Sequence, residues 1–468
     1  MHEDTQKITE LILKAAEKAR KETDSEPEPE PGLTRKIEWP LECVIGPGLE
    51  GAIACESKIG YVNGAKGWLI YRGYDIFDLC ANSSYEEVSY LLLHGKLPGK
   101  KELKTYRKQL IDCCRIPETM RLLLHFPIEE MNPMSALRLG VNLMRQEFTY
   151  ADREDITEGE TRIIGTDEDS IPMETKPMGE EEAKYEFKRR MEERKRKKKA
   201  GGLESPSGYM SCSHLLGGAA TLTAAIVRLR KGHFPINADP ELSYAENLLY
   251  MVNGTRPTAE EARLLDIALI LHADHGMNAS TFAAMVVAST LSDIYFSVGS
   301  GIAALNGPLH GGANEKVLDM LKEIGGEEKV SKWYSKARKE KRKVMGFGHR
   351  VYKAYDPRAR ILGPLVQELS KTNKDIRPLL KVAKALEKEV VSTLGKSKGI
   401  FPNVDFYSGL LYHALGFPSD SFTTIFAVSR IAGWTSRVME YLKHNRIFRP
   451  RAVYTGTFDQ EYVPIDKR

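Results

Sequence analysis

The 468-residue chain has few cysteines, lacks long hydrophobic runs and carries almost balanced charge. No stretch reaches the roughly 18 uninterrupted apolar residues that a membrane-spanning helix needs. The 68 lysines and arginines against 64 acids give no strong overall field that would attract nucleic acid or a membrane surface. We therefore expect no membrane contact and no nucleic-acid partner.

The six cysteines contain no C-x-x-C spacing, and the adjacent Cys113 and Cys114 cannot easily bridge each other. The first 24 residues carry early acids and lack the apolar run of an export signal, and mitochondrial presequences are poor in acids. These features predict reduced thiols in a cytoplasmic protein.

What the chain does contain is typical of a soluble globular protein with two or three domains, because 42% of its residues are hydrophobic and 28% are charged.

Most segments have helical signals. In residues 257–276, Pro257 stands just outside a capping box of Thr258 and Glu261, Gly276 closes the segment, and the residues between are apolar on all sides. Residues 280 to about 305 predict a second, nearly as apolar helix. Two consecutive buried helices indicate a large all-α domain.

Two segments near the N-terminus differ from this pattern. Residues 52–75 alternate apolar residues with glycines, which predicts short strands and turns. Residues 5–22 have the spacing of an amphipathic helix, with Ile8, Leu11, Ile12 and Ala15 on one face, and an extended Glu-Pro linker follows. We expect that helix to be an appendage to the core.

A charged segment interrupts the helical pattern. Residues 152–182 are strongly acidic, and residues 184–199 are strongly basic and end in KRRMEERKRKKK. Opposite charge blocks without apolar periodicity predict a solvated surface insertion. The alternative is a regulatory or nucleic-acid contact through residues 188–199.

Three histidines stand next to glycines, in HADHG (His275), GPLHGGAN (His310) and GFGHR (His349). Glycine lets the backbone approach closely, so such side chains are often aimed into a cleft. His272 and His275 have a spacing that permits zinc binding, but a structural zinc site needs four ligands, and neither a cysteine pair nor an H-E-x-x-H motif stands nearby. Acid-base chemistry is the better prediction.

A carboxylate and several arginines complete that chemistry. Asp405 in NVDFYSG is either a helix N-cap or, if shielded from water, a base with a raised pKa. Arg358, Arg430 and Arg449 suit a di- or tricarboxylate substrate, because a guanidinium binds a carboxylate through two parallel hydrogen bonds. Arg430 interrupts an otherwise apolar helix over residues 422–442, where a charge needs a partner.

Five motifs together, HADHGMNASTF, GPLHGGANEKVL, MGFGHRVYKAYDPRA, NVDFYSGLLYHALG and RPRAVYTG, resemble those of the citrate synthase family in order and spacing. The resemblance runs from about Cys43 to Gly456, except for the charged segment. It implies an all-α fold of two domains, with a short β segment near the N-terminus. Residues 1–42 would form the N-terminal helix and linker, 43–311 the first part of the large domain with an insertion at about 150–205, 312–417 a small mobile domain, and 418–468 the rest of the large domain.

The resemblance also assigns roles in the condensation of acetyl-CoA with oxaloacetate. His310 is similar to the residue that stabilises the enol of acetyl-CoA. Asp405 is similar to the base that removes the methyl proton, and His349 to the acid that polarises and protonates the oxaloacetate carbonyl.

Further residues would bind the substrates. His275, Arg358 and Arg430 resemble oxaloacetate ligands, and Arg449 resembles an arginine that reaches in from the partner subunit of a homodimer. Lys353 matches a cation on the CoA phosphates. The resemblance implies neither a metal nor a cofactor, since acetyl-CoA is a substrate.

Three other functions stay open. A 2-methylcitrate synthase would use the same motifs with propionyl-CoA, and one extra methylene changes binding by only about 1–3 kcal/mol. The stretch NVDFYSGLLYHALGFPSD favours citrate. A citryl-CoA lyase would run the same site in reverse, and a non-catalytic helical scaffold would use the charged segment as its binding arm.

Overall fold

The computed structural model describes residues 3–23, 47–49, 52–145, 208–450, 460, 461 and 463–468. The predicted linker and the charged segment 152–199 lie outside the described residues, as does Cys43. Helices make up most of the described chain, which confirms the predicted all-α class. The five described cysteines are free thiols, and four of them are buried.

The longer helices up to residue 305 are α1 (Glu3–Thr23), α2 (Ile76–Asn82), α3 (Tyr85–His94), α4 (Lys100–Asp112), α5 (Pro117–Leu123), α6 (Pro133–Leu143), α7 (Gly208–Arg230), α8 (Tyr244–Asn253), α9 (Ala259–His272), α10 (Ala279–Ser289) and α11 (Ile294–Leu305). Those that follow are α12 (Ala313–Ile324), α13 (Val330–Lys339), α14 (Pro357–Leu369), α15 (Arg377–Val390), the single turn α16 (Lys396–Lys398), α17 (Val404–Ala414) and α18 (Phe422–Tyr441).

A small antiparallel sheet precedes α2, where the glycine-rich segment predicted it. Its strands are β1 (Gly60–Asn63), β2 (Trp68–Tyr71) and β3 (Tyr74–Asp75), paired in that order. Gly60 lies opposite Tyr71 in the first pair. The sheet packs its buried side, which includes Leu69, into the helical core.

The expectation that α1 is an appendage is wrong. Ile8 and Ile12 are 1% and 0% exposed, and the helix packs against α2, α9 and α14. Lys7 forms an ion pair of 2.6 Å with Glu368 of α14. The apolar face of α1 that the sequence indicates is covered by these helices, so α1 belongs to the core.

The apolar stretch after residue 280 forms two helices rather than the single predicted one. Leu291 adopts a left-handed backbone conformation with φ of 63°, which ends the helical path. Asp293 then caps α11, because its carboxylate accepts a hydrogen bond of 2.7 Å from the Tyr295 amide. By contrast, α9 starts at the predicted capping box of Thr258 and Glu261 and is buried along most of its length.

Two long helices run through the core of the described chain. In α18, all residues from Phe422 to Val438 are buried, and the helix packs on α3, α7, α9 and α10. Among the described helices, only α7 is long and apolar enough to cross a membrane by length and composition. In the structure, 94% of its most apolar stretch is buried inside the protein, as expected of a core helix.

Helix α18 approaches the end of α9 very closely at Gly433. The Gly433 amide donates a hydrogen bond of 3.0 Å to the Ala273 carbonyl oxygen. A β-carbon at position 433 would overlap with that oxygen and lie 3.0 Å from the Asp274 Oδ1 atom. Only glycine allows the chain after α9 to lie directly on α18.

Replacing Ile12 with alanine should lower the free energy of unfolding by about 2–5 kcal/mol, because the side chain is fully buried between α2 and α14. Leu13→Ala is the matched control: Leu13 is 46% exposed on the same helix, so its truncation should change stability by less than about 0.5 kcal/mol. Chemical denaturation of both variants measures the difference. Equal effects would contradict the packing of α1 on the core.

Replacing Gly433 with alanine should destabilise the protein by about 1–3 kcal/mol, because the added methyl group must displace the chain at Ala273. Gly312→Ala is the control, since position 312 has a φ of −81° and open space around an added β-carbon. Thermal unfolding should separate the two variants by several degrees. A Gly433→Ala protein as stable as the wild type would show that the two segments separate easily.

Candidate active site

Five segments meet around the predicted histidines: the turn after α9, the turn before α12, the loop before α14, and helices α17 and α18. The rings of His275 and His349 meet edge to face, with centroids 5.1 Å apart and planes inclined by 70°. Tyr352 contacts both rings, and its hydroxyl lies 3.2 Å from His275 Nε2. The structure therefore brings two of the three glycine-flanked histidines into direct contact.

A buried ion pair fixes the turn that carries His275. The Arg437 guanidinium donates two hydrogen bonds of 2.7 Å to the Asp274 carboxylate, which is 0% exposed. Burial opposes ionisation of Asp274, but the Arg437 charge prevails and lowers the pKa of that carboxyl. The Tyr71 hydroxyl of β2 also donates a hydrogen bond of 2.7 Å to the Asp274 carbonyl oxygen. Both the sheet and α18 thus hold this turn in place.

His310 is neutral, and one of its ring nitrogens is held by α10. The Ser280 amide donates to His310 Nε2 at 3.3 Å, and the Ser280 hydroxyl lies 2.9 Å from the same nitrogen. Because an amide only donates, Nε2 accepts, and the ring proton is on Nδ1. Burial and then the Arg430 charge lower the pKa of His310 to about 4. The Trp434 indole supports the pair by donating to the Ser280 hydroxyl at 3.3 Å.

His349 has the opposite tautomer. Its Nδ1 atom accepts hydrogen bonds from the amides of Val351 and Tyr352, at 3.0 and 3.2 Å. The proton is therefore on Nε2, which leaves that nitrogen as a donor. Burial and then the Arg358 charge lower the pKa of His349 to about 4, so this ring is neutral too.

The loop that carries His349 is fixed on both sides. Gly348 donates to the Phe401 carbonyl oxygen at 2.9 Å and accepts a 2.9 Å hydrogen bond from the Asn403 side chain, which ties the loop to the start of α17. On the other side, the Lys353 amide donates to the Gly64 carbonyl oxygen at 2.9 Å. A β-carbon at Gly64 would overlap with the loop backbone, so the hairpin turn and this loop touch.

Asp405 lies in the first turn of α17 but does not cap it. Asn403 is the N-cap, and its side-chain oxygen accepts a hydrogen bond of 3.0 Å from the Asp405 amide. The Oδ1 atom of Asp405 is buried and has no hydrogen-bond partner in the described structure. Burial raises the pKa of Asp405 to about 7, although the Arg358 charge acts in the opposite direction. The N-cap alternative is therefore wrong, and the shielded carboxylate remains.

Arg358 is buried and held by a single carboxylate. Asp356 accepts hydrogen bonds of 3.0 and 2.8 Å from the Arg358 Nε and Nη2 atoms. The same carboxylate caps α14 and accepts a hydrogen bond of 3.2 Å from the Val404 amide at the start of α17. Asp356 thus places a guanidinium beside the helix turn that carries Asp405.

The buried guanidinium of Arg430 has hydrogen-bond partners for only some of its nitrogen atoms. It is 1% exposed, and its Nε atom donates to the His272 carbonyl oxygen at 2.5 Å. Among the described residues, its Nη2 atom has no hydrogen-bond partner, and neither does the Nε2 atom of the buried His272. Burial lowers the pKa of Arg430 to about 10, so the side chain is positive at neutral pH. An unpartnered buried donor of this kind is well suited to an anionic ligand.

Two predicted residues lie outside the histidine cluster. Arg449 is exposed, eight residues beyond the end of α18. Lys353 is exposed as well, and its side chain lines a groove between α1 and α15. The described residues include no group of three histidine, cysteine or carboxylate side chains that could hold a metal ion.

Several residues that hold the site were not predicted. Asp356 directly precedes a proline at the start of a helix, which is a capping signal. Arg437 follows Arg430 by seven residues and therefore lies on the same side of α18. The contacts of Ser280 with His310 and Trp434 join residues distant in sequence, and no local pattern indicates them.

Comparisons with known proteins agree with this arrangement. Residues 48–451 match the family model for the citrate synthase C-terminal domain. The citrate synthase of Deinococcus radiodurans is 39% identical over 91% of this chain and 99% of its own length, and citrate synthase 2 of Bacillus subtilis is 38% identical over 90% and 98%.

Solved structures give the same result. The crystal structure of the Thermotoga maritima citrate synthase is 37% identical, with a TM-score of 0.72 over 91% of this chain and 99% of that one. The Thermoplasma acidophilum enzyme, solved with carboxymethyl-CoA and oxaloacetate, is 31% identical, with a TM-score of 0.75 over 91% of this chain and all of that one. The resemblance seen in the motifs is confirmed: the chain belongs to the citrate synthase family of acyltransferases.

Proposed function

We propose that this enzyme is a citrate synthase that condenses acetyl-CoA with oxaloacetate and hydrolyses citryl-CoA to citrate and CoA. The observation that carries the proposal is the Asp405 carboxylate in the fold of this family: its buried Oδ1 atom has no hydrogen-bond partner among the described residues, and burial raises its pKa to about 7. The Thermoplasma acidophilum structure holds a CoA analogue together with oxaloacetate, which supports this pair of substrates.

The first step removes a proton from the acetyl methyl group. A thioester is a weak carbon acid, so the base must act together with a donor at the carbonyl oxygen, where negative charge develops. Asp405 takes the proton, and the Nδ1–H group of His310 donates to the enol oxygen. Because the pKa of His310 is about 4, the ring is a neutral donor that does not carry a full positive charge.

In the second step, the enol carbon attacks the ketone carbon of oxaloacetate. The Nε2–H group of His349 polarises the ketone and gives its proton to the oxygen as the carbon–carbon bond forms. The amides of Val351 and Tyr352 fix the tautomer that this role requires. Water then attacks the citryl thioester, which releases citrate and CoA.

Oxaloacetate binding is assigned to Arg358, Arg430 and His275. The Arg430 Nη2 atom has no partner in the part of the chain that the structure describes, and it binds a substrate carboxylate. Arg449 reaches the site of the partner subunit in a homodimer, in accordance with its exposed position beyond α18. Lys353 contacts the CoA phosphates.

Closure of a small domain, residues 312–417, excludes water until condensation is complete. Both ends of that range lie near site segments, since His310 precedes it and α18 follows it.

Acetyl-CoA is a substrate, and the reaction needs no bound cofactor or metal. We place the enzyme in the cytoplasm.

The proposal predicts thiol release from acetyl-CoA with oxaloacetate, faster than from propionyl-CoA. Asp405→Asn should lower kcat by about 10²–10⁴-fold, because the amide cannot accept the methyl proton. Asp375→Asn, which changes an exposed aspartate, is the matched control and should retain full turnover.

Each alternative has its own result in this assay. Faster release from propionyl-CoA would identify a 2-methylcitrate synthase. Cleavage of supplied citryl-CoA to acetyl-CoA and oxaloacetate, with little citrate formed, would identify a lyase. No thiol release from either substrate, or full turnover by Asp405→Asn, would contradict the proposed mechanism and favour a scaffold.

The pH dependence of kcat/KM should follow Asp405. Burial raises the pKa of this carboxyl to about 7, and only the ionised form accepts a proton, so activity should rise with pH through 7. At pH 6, kcat/KM for acetyl-CoA should be about a tenth of its value at pH 8. His310 and His349 have pKa values of about 4 and add no limb in this range. A flat profile from pH 6 to 8 would contradict the assignment of the base.

A further inference from the structure

Tyr352, three residues after His349, lies at the centre of the candidate site. Its side chain is 1% exposed, and its ring centroid lies 5.4 Å from that of His275 and 4.9 Å from that of His349. The Arg358 guanidinium lies over the same ring, 5.9 Å from its centroid. One tyrosine thus contacts three side chains to which the proposed mechanism gives a role in binding or activating oxaloacetate.

The Tyr352 hydroxyl has one hydrogen-bond partner among the described residues, the His275 Nε2 atom at 3.2 Å. Burial raises the pKa of this phenol well above its ordinary value, so the hydroxyl keeps its proton at neutral pH. A buried O–H group without an acceptor costs free energy, and Nε2 is the acceptor within reach. The hydroxyl therefore donates to His275.

This hydrogen bond fixes where the His275 ring carries its proton. Burial and then the Arg358 charge lower the pKa of His275 well below its ordinary value, so the ring is neutral and holds one proton. A nitrogen of a neutral imidazole that accepts a hydrogen bond carries no proton, which places the proton on Nδ1. Within the described part of the chain that Nδ1 atom has no hydrogen-bond partner, so its N–H group is available to a ligand.

The backbone of Tyr352 acts on the neighbouring histidine in the same way. Its amide donates a hydrogen bond of 3.2 Å to His349 Nδ1, next to the 3.0 Å hydrogen bond from the Val351 amide. These two contacts keep the His349 proton on Nε2. Tyr352 therefore acts on the tautomers of two histidines, on one through its O–H group and on the other through its N–H group.

The same arrangement is found at His310, whose Nε2 atom accepts a hydrogen bond from the Ser280 amide. In each of the three rings, a protein donor covers the nitrogen that lacks a proton, and the other nitrogen keeps its N–H group. A carboxylate is an acceptor only, so it binds to an N–H group and is repelled by a bare nitrogen lone pair. The tautomer of His275 thus matters for an anionic substrate.

We propose that Tyr352 is a positioning residue for oxaloacetate binding, whose hydroxyl and amide hold His275 and His349 in the tautomers that present only N–H groups to the substrate. The inference rests on the proposed function, from which it takes the substrate and the roles of the two histidines. It adds a residue to which the motif resemblance assigns no role.

Tyr352→Phe tests the proposal, because it removes the hydroxyl and keeps both the ring and the amide. The variant should raise the KM for oxaloacetate about three- to tenfold, the effect of one lost hydrogen bond, and leave the KM for acetyl-CoA unchanged. Calorimetric titration with oxaloacetate should show the same loss of affinity. Tyr334→Phe is the matched control, since Tyr334 of α13 is 3% exposed and its hydroxyl lies 2.6 Å from Thr393 Oγ1, outside the candidate site. The control should leave both KM values unchanged.

The tautomer of His275 is a second readout, which a mere packing role would not change. In protein with isotope-labelled histidine, the nitrogen chemical shifts distinguish an N–H group from a bare nitrogen, and His275→Gln identifies the signal. The wild type and Tyr334→Phe should carry the proton on Nδ1, whereas in Tyr352→Phe the proton should move to Nε2. The His349 signal should stay unchanged, because the Tyr352 amide is retained.

A Tyr352→Phe enzyme with the oxaloacetate KM and affinity of the wild type would overturn the proposal. Equal increases in both KM values, or a higher KM for oxaloacetate with the His275 proton still on Nδ1, would also overturn it and reduce Tyr352 to a packing role. If the wild type releases no thiol from acetyl-CoA, the proposed function fails, and the oxaloacetate titration and the tautomer spectra alone decide the role of Tyr352.

Discussion

The arrangement of the site depends on one buried carboxylate, Asp356. It accepts hydrogen bonds from the guanidinium of Arg358, from the first turn of α14 and from the Val404 amide at the start of α17. A buried carboxylate is stable as an anion only when its partners are fixed, so these contacts are interdependent. Their common geometry sets the distance between the Arg358 guanidinium and the turn that carries Asp405.

Burial then sets the ionisation of the titratable side chains at the candidate site. The same loss of hydration that keeps His310 and His349 uncharged raises the pKa of Asp405. Arg430 stays charged in the same environment because the intrinsic pKa of a guanidinium is very high. A carboxyl group with a pKa near neutrality, two neutral imidazoles and a buried guanidinium are therefore found together at neutral pH.

The sequence predicts the features that depend on near neighbours. The capping box of Thr258, the short strands before α2 and the glycine-flanked histidines were visible as local patterns. The structure also gives Arg430 a partner, as its apolar helix required, but the identity of that partner, the His272 carbonyl, depends on how α9 packs on α18. Asp405 remained ambiguous because a capping residue and a catalytic base look alike beside a helix start.

The errors arose where distant segments compete with local signals. Ile8 and Ile12 indicated an amphipathic α1, but only the assembled core shows that α2, α9 and α14 cover it. The break at Leu291 has no glycine or proline, so the apolar run appeared continuous until the cap at Asp293 was seen. The Asp274–Arg437 pair, 163 residues apart, has no local signature.

The contact between Gly64 and the loop after His349 limits insertions and deletions in the turn between β1 and β2. The four-residue turn between β1 and β2 acts as a spacer, because the Gly64 carbonyl oxygen accepts a hydrogen bond from the Lys353 amide and position 64 leaves no room for a side chain. One inserted residue in an extended chain adds about 3.3 Å, which is longer than the hydrogen bond that joins the two segments. Length changes are therefore excluded from this turn, whereas surface loops ordinarily tolerate them.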